Sequence, residues 1–284
     1  MPAAIMGGTG IYNLSGIEVE PREITNEYES AQVYLGQGEH EDIVFLTRHG
    51  KDHSTPPHKV NYRANLRALK DLGVRRIMST YAVGSITTDY PVLDLAVLRD
   101  FLDFTHGRDF SFFDDLQSAV GHVEMSAPFC PVMSDKLMSL GPKYNIQCHD
   151  GATYVATNGP RFESPAEIKM FQMLGGHVVG MTCCPEVYLA GELGMNFAAV
   201  ALPINLAAGL EDKINELLKA REGDTGRVEE LEKKRKEDLL KVEKIIMPLL
   251  KNLQKNPDDV YIKWPNRKEV IDKQIKKIVA ITRS

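Results

Sequence analysis

The sequence predicts an α/β fold of one domain, with helices on both faces of a β-sheet, and three observations lead there. Apolar runs of strand length stand at 3–7, 33–35, 43–46, 74–81, 153–157, 177–181 and 197–202. Stretches whose apolar residues recur at three-and-four spacing follow several of them, at 61–72, 164–174 and 185–193. Glycine or a short polar turn punctuates the junctions. Strand, turn, helix and strand in repetition is the pattern of a sheet buried on both sides. With 43% hydrophobic and 26% charged residues, the 284-residue chain can bury a sizeable core.

Taken in order, Ala3–Gly7 is a short buried strand that runs into the turn Gly7-Gly8-Thr9-Gly10. The strands at Val33–Leu35 and Ile43–Leu46 follow, the second leading at once into Arg48-His49-Gly50. Asn61–Leu72 reads as an amphipathic helix closed by Gly73, since a left-handed residue just past the last turn favours glycine. Val74–Tyr81 is a strand leading into a third polar turn, Thr80-Tyr81-Ala82-Val83-Gly84-Ser85. Later, the strand Thr153–Thr157 precedes a helix at Ser164–Leu174 opened by the cap residue Ser164. The strand His177–Met181, the helix Pro185–Leu193 and the strand Phe197–Leu202 complete the alternation.

From about Arg227 to Leu253 a charged helix is expected, with an apolar stripe at Val228, Leu231, Leu239, Val242, Ile245, Ile246, Leu249 and Leu253. Residues 255–284 form a polar tail with one apolar patch around Tyr261–Trp264. Repeats, low-complexity segments and a clear linker are missing from the sequence, so residues 1–284 read as one domain.

The net charge of −5 and a pI near 5.9 offer no general attraction for nucleic acid or an anionic membrane. An anionic ligand would therefore need a local basic pocket. No stretch approaches the roughly 20 apolar residues of a membrane span, and the start lacks the basic-then-apolar pattern of a secretion signal. Cys130, Cys148, Cys183 and Cys184 lie in apolar or strand-like contexts without zinc-type spacing. A cytoplasmic setting with free thiols is the expectation.

Polar turns after strands are where ligands sit in such sheets. In Gly7-Gly8-Thr9-Gly10 the glycines let amide N–H groups face an anion and Thr9 adds a hydroxyl. The pattern is neither a P-loop nor a dinucleotide fingerprint. Arg48 brings a guanidinium fork suited to phosphate oxygens, and His49 a further donor. A metal pair of His49 with His53 is disfavoured, because Gly50 and Pro56-Pro57 interrupt any helix there. With the Ala82 amide and Thr182, these residues form a five-part phosphate cradle: Thr9, Arg48, His49, Ala82 and Thr182.

Beyond those turns stand Val60-Asn61-Tyr62-Arg63-Ala64-Asn65, Ala127-Pro128-Phe129-Cys130-Pro131, Gly159-Pro160-Arg161-Phe162 and Met181-Thr182-x-x-Pro185-Glu186-Val187. In that order, over about residues 3–210, the chain resembles the methylthioadenosine phosphorylase branch of the trimeric purine nucleoside phosphorylase family. The resemblance implies a mixed twisted sheet flanked by helices, a homotrimer, and no metal or organic cofactor, with inorganic phosphate as co-substrate of a purine nucleoside. It implies phosphate contacts at the five cradle residues, sugar hydroxyls held near Met181, and Phe162 stacked on the purine. A neighbouring subunit would bring the region 106–113 or His122 to the sugar's 5′ side. Phosphorolysis of this kind needs no protein nucleophile. The phosphate stabilises and attacks the sugar cation, and donors to the leaving base take up its developing charge.

The base positions depart from the adenosine-cleaving branch. Glu163 follows Phe162 where that branch has Ser, and Asn205-Leu206-Ala207 replaces an Asp-x-Asp pair, as in relatives acting on inosine and guanosine. A carboxylate accepts the N1–H of a 6-oxopurine, and an Asn amide addresses O6 and N7. Glu163 and Asn205 are thus the catalytic and base-binding candidates, and 5′-methylthioinosine or another 6-oxopurine nucleoside is the expected substrate. A 5′-methylthio pocket is expected from Val228, Leu231 and His122. The alternatives are 5′-methylthioadenosine itself, or a nucleoside- or anion-binding relative without turnover. Tyr81 raises the latter, standing where relatives carry Thr or Asn and able to crowd the phosphate. Gly191 stands where the family often has Arg.

Overall fold

The computed structural model describes residues 2–8, 16–50, 54–114, 121–210, 233–237, 240, 272 and 276. The chain divides into two compact units, Met1–Glu211 and Asp212–Ser284. In the second, residues 233–237 and 240 are helical, within the expected 227–253 helix. The rest of that helix, Val228 and Leu231 among it, and nearly all of the 255–284 tail lie outside the described residues. Among the described residues no helix is long and apolar enough to cross a membrane.

The first unit holds nine strands and four helices among the described residues: β1 Ala3–Gly7, β2 Val19–Asn26, β3 Glu29–Gly36, β4 Ile43–Thr47, α1 Tyr62–Asp71, β5 Arg76–Ser85, β6 Leu95–Asp103, α2 Pro131–Leu140, β7 Cys148–Ala156, α3 Pro165–Met173, β8 Val178–Gly180, α4 Cys183–Glu192 and β9 Asn196–Leu206. The sheet runs β2-β3-β4-β1-β5-β8-β7-β6-β9, and β9 also pairs with β5. The last five strands therefore close into a ring, with β2, β3, β4 and β1 as a wing on β5. Pairing is mixed: β4, β1, β5 and β9 run parallel, whereas β5–β8 and β6–β9 are antiparallel.

β5 belongs to both parts. Its alternation buries Ile77, Ser79, Tyr81, Val83 and Ser85, the two-residue period of a strand. The turn expected at 80–85 is not a turn, because the strand continues to Ser85. Gly84 serves instead at a register shift after Val83, where a Cβ would stand 3.3 Å from Val179 Cγ1.

The helices follow their local signals. The Asn61 side chain accepts from the Ala64 amide at the start of α1, Tyr62, Leu66 and Leu69 are buried, and Gly73 adopts φ +78° beyond its end. Ser164 and Glu167 form a reciprocal capping box at α3. In α4 the regular helix begins at Pro185, because the residue before a proline is pushed out of helical geometry and Cys184 sits at φ −99°, ψ 131°. β2, β6 and α2 were not expected. β2 is an edge strand, Val-Glu-Pro-Arg-Glu-Ile-Thr-Asn, too charged to show an apolar alternation. α1 packs on β2 and β3, while α2 and α4 pack on β7 and β9. A main core spans the sheet, and a smaller cluster of Ile86, Val155, Ile168, Phe171, Val179 and Ala207 lies under α3.

Candidate active site

A cavity of about 550 Å³ opens where β1, β4, β8 and β9 end and along the last third of β5. Its lining includes Gly8, Arg48, His49, Tyr81, Ala82, Phe162, Glu163, Met181, Thr182 and Asn205. Of the expected site residues, Arg48, His49, Ala82, Phe162, Glu163, Met181, Thr182 and Asn205 are therefore brought together from five separate segments. Thr9, Val228 and Leu231 lie outside the described residues, as does His53. His122 is exposed and does not line this cavity.

Register explains the first wall. β1 and β4 are parallel with Gly7 opposite Thr47, so Gly8 and Arg48 leave the sheet side by side. Arg48 lines the cavity as expected of it, but most of its fork is spent on a buried partner. Its side chain is fully buried, with Nε and Nη2 donating to the two oxygens of Glu186, the Nη2 bond at 2.8 Å. Nη2 also donates to Ser79 Oγ at 2.7 Å, and Nη1 to the Thr80 carbonyl at 3.3 Å. The guanidinium lies 4.7 Å from the centre of the Tyr81 ring. A buried charge demands a partner. Burial by itself would lower the Arg48 pKa, but the charge and hydrogen bonds of Glu186 outweigh it and raise the value above the ordinary arginine range. Nη1 remains against Gly8, where a Cβ would stand 2.7 Å away.

Tyr81 does not crowd the cavity either. Its hydroxyl donates to Glu186 Oε2 at 2.7 Å, and its ring packs 5.3 Å from that of Tyr154. The Tyr154 hydroxyl in turn accepts the Thr182 amide at 3.3 Å. Gly180 makes room for this phenol, since any side chain there would collide with it. Burial pushes both phenols well above the ordinary tyrosine range, so they stand as hydroxyls. His49 Nδ1 lies 2.8 Å from the Thr55 carbonyl, which can only accept, so that nitrogen carries the proton. Met181 packs on Gly159, a left-handed residue at φ +61° whose missing Cβ leaves space for the thioether.

At the opposite chemistry, the Thr157 hydroxyl donates to Glu163 Oε1 at 2.7 Å, leaving Oε2 as the acceptor for a ligand. Asn205 is exposed, and one Nδ2 hydrogen is engaged by the Leu206 carbonyl at 2.7 Å; the other hydrogen and Oδ1 remain. Phe162 is 80% exposed at the rim, with no ring stacked on it among the described residues. Arg108 secures the loop beneath, donating to the carbonyls of Thr157, Asn158 and Cys184. Asn158 exchanges hydrogen bonds with the backbone of His106.

Glu186, Ser79, Tyr154, Thr157 and Arg108 support the site without belonging to any residue set that the sequence motifs assign to a ligand. Glu186 had a signal: a carboxylate within the apolar run Pro-Glu-Val-Tyr-Leu-Ala must find a cation once buried. Nothing in the local pattern marks the other four.

The profile of the phosphorylase superfamily matches residues 2–247. The 6-oxopurine nucleoside phosphorylase of Pyrococcus furiosus is 40% identical over 252 residues, covering 87% of this chain and 92% of that protein. A probable S-methyl-5′-thioinosine phosphorylase of Methanopyrus kandleri is 43% identical over 211 residues, 74% of this chain and 80% of its own length. Among solved structures, a methylthioadenosine phosphorylase from an antarctic soil metagenomic library is 37% identical with a TM-score of 0.68, covering 72% of this chain and 73% of the other.

Proposed function

The chain belongs to the phosphorylase superfamily, and from that premise we propose that it cleaves 6-oxopurine nucleosides with inorganic phosphate, 5′-methylthioinosine foremost. The products are the free purine and (5-methylthio)ribose 1-phosphate. The observation that carries this reading is one cavity lined both by Arg48, His49 and Thr182 and by the Glu163 carboxylate and Asn205 amide. Its volume lies in the range of small-molecule sites.

In this reading phosphate lies near Gly8, with Thr9, Arg48 Nη1, His49, the Ala82 amide and Thr182 around it. Met181 borders the sugar, and Phe162 stacks on the purine. A phosphate oxygen bonds to the anomeric carbon as the carbon–nitrogen bond breaks, the electron pair leaves with the base, and the proton that hydrogen phosphate sheds ends on the purine. Glu163 Oε2 accepts the N1–H, and the free Asn205 N–H meets the O6/N7 edge, where negative charge develops. Orientation of the reactants supplies much of the acceleration, up to about 7–11 kcal/mol in favourable cases. The chain's own groups bind and orient, and none acts as nucleophile.

The same reading carries a homotrimer, with the 106–113 region or His122 of a neighbour near the 5′ group. It carries Val228 and Leu231 as the methylthio contacts, and phosphate as co-substrate without metal or organic cofactor. The setting is cytoplasmic purine salvage. The superfamily match running past residue 211 supports taking 1–284 as one functional domain. The similarity to a solved methylthioadenosine phosphorylase favours 5′-methylthioadenosine as the second reading. The test is a panel of inosine, guanosine, adenosine and the two methylthio analogues, each with and without phosphate. Base release only with phosphate, fastest on methylthioinosine, is expected. Equal release without phosphate would overturn phosphorolysis, and methylthioadenosine at least as good as methylthioinosine would overturn the base assignment.

A further inference from the structure

Below the cavity wall lies a buried carboxylate, Glu186, which is 0% exposed and belongs to none of the groups expected to touch ligand. A negative charge under a site for an anion works against binding unless it is fully paired. Four donors pair it. Oε1 takes Arg48 Nε, while Oε2 takes Arg48 Nη2 at 2.8 Å, Tyr81 Oη at 2.7 Å and Ser79 Oγ at 3.4 Å. Tyr81 acts twice, since its ring also faces the Arg48 guanidinium at 4.7 Å, where a cation is attracted to the π face. The ring then continues to Tyr154, which holds the Thr182 amide. Tyr81 thus touches Arg48 directly and Thr182 through Tyr154, two residues of the cavity lining.

We propose that Tyr81 is a positioning residue for phosphate: its phenol and ring lock Arg48 onto Glu186, so that Nη1 is held against Gly8 and the carboxylate stays neutralised. This rests on the reading that Arg48 serves phosphate. Removing the hydroxyl strips Oε2 of its shortest donor. The carboxylate then draws harder on Arg48, pulling the cation away from the cavity and leaving more negative charge beneath the anion. The nucleoside end is held by other hydrogen bonds, those of Thr157, Arg108 and the α3 cap.

The test is steady-state kinetics of Tyr81→Phe, which keeps the ring, with each substrate varied in turn. A rise of about threefold to tenfold in the phosphate KM is expected, with the nucleoside KM and kcat within about twofold. Loss of fold stability alone would not split the two constants. In an Arg48→Lys background, where the paired fork is gone, Tyr81→Phe is expected to add little, because the two positions share one interaction. If Arg48→Lys raises the phosphate KM and Tyr81→Phe does not, or raises both KM values equally, the role of Tyr81 is overturned and that of Arg48 stands. If Arg48→Lys leaves the phosphate KM unchanged, the phosphate reading of Arg48 falls, and the Tyr81 proposal with it.

Discussion

Asn205 is the residue on which the proposed choice of base turns. Its amide spends one hydrogen on Leu206 and keeps one for a ligand, whereas a carboxylate at that position would only accept. Asn205→Asp is expected to shift the ratio of kcat/KM values toward adenine nucleosides by about tenfold, equivalent to about 1.4 kcal/mol. A carboxylate welcomes an exocyclic amine and repels O6. Competition between inosine and adenosine in one reaction measures the shift, and an unchanged ratio would remove Asn205 from base recognition. Gly191 also finds an account at this scale. A Cβ there would stand 2.8 Å from Val123 Cγ1 and 3.1 Å from Met125 Cε, so the segment carrying His122 occupies the space a larger side chain would need.

Among the elements, α3 couples local folding to the base end of the cavity, because its cap residue Ser164 directly follows Glu163. Ser164→Ala is expected to cost about 1 kcal/mol in urea unfolding and to raise the nucleoside KM while leaving the phosphate KM alone. Glu167 closes the same box. Arg161 first, then the Ser164 amide, hold its carboxyl at about 2, below the ordinary 4.5. A folded pKa below the unfolded one means that its contribution is full above about pH 4.5 and fades as the pH falls toward 2. The melting-temperature gap between the parent and Glu167→Gln should therefore narrow across that window. A gap that stays constant from pH 6 to 3 would show that the carboxylate charge contributes nothing.

For the whole molecule, the proposed trimer has a surface that suits it. The 104–113 segment is firmly held: Arg108 bonds to three carbonyls, and Glu192 accepts from Ser111 Oγ and the Phe112 amide. Even so, Phe104, Phe110 and Phe113 are 38%, 66% and 40% exposed. Exposed aromatic side chains on a segment held this way suit the contact that the proposed trimer requires. Sedimentation at micromolar concentration should give three times the 31.7 kDa monomer mass, and Phe110→Asp should shift the population toward monomer. A parent protein that sediments as a monomer would overturn the assembly.

Local order determined what could be read from the sequence alone. The strand at 3–7, the helix closed at Gly73, the Ser164 cap and the helix from Pro185 each depend on residues within a few positions, where periodicity and cap chemistry act. The cast of the cavity was legible for a related reason, because its members stand in short motifs at strand ends. Tertiary structure alone decided what those side chains do. Arg48 spends Nε and Nη2 on Glu186, 138 positions away, and leaves only Nη1 against Gly8, while the Tyr81 hydroxyl joins that pair. The closing of the sheet by β9 on β5 is likewise a matter of register between distant strands. A hydropathy pattern reports that a face is buried. It carries no information about which remote group satisfies a charge buried there, and that pairing fixes the chemistry offered to the ligand.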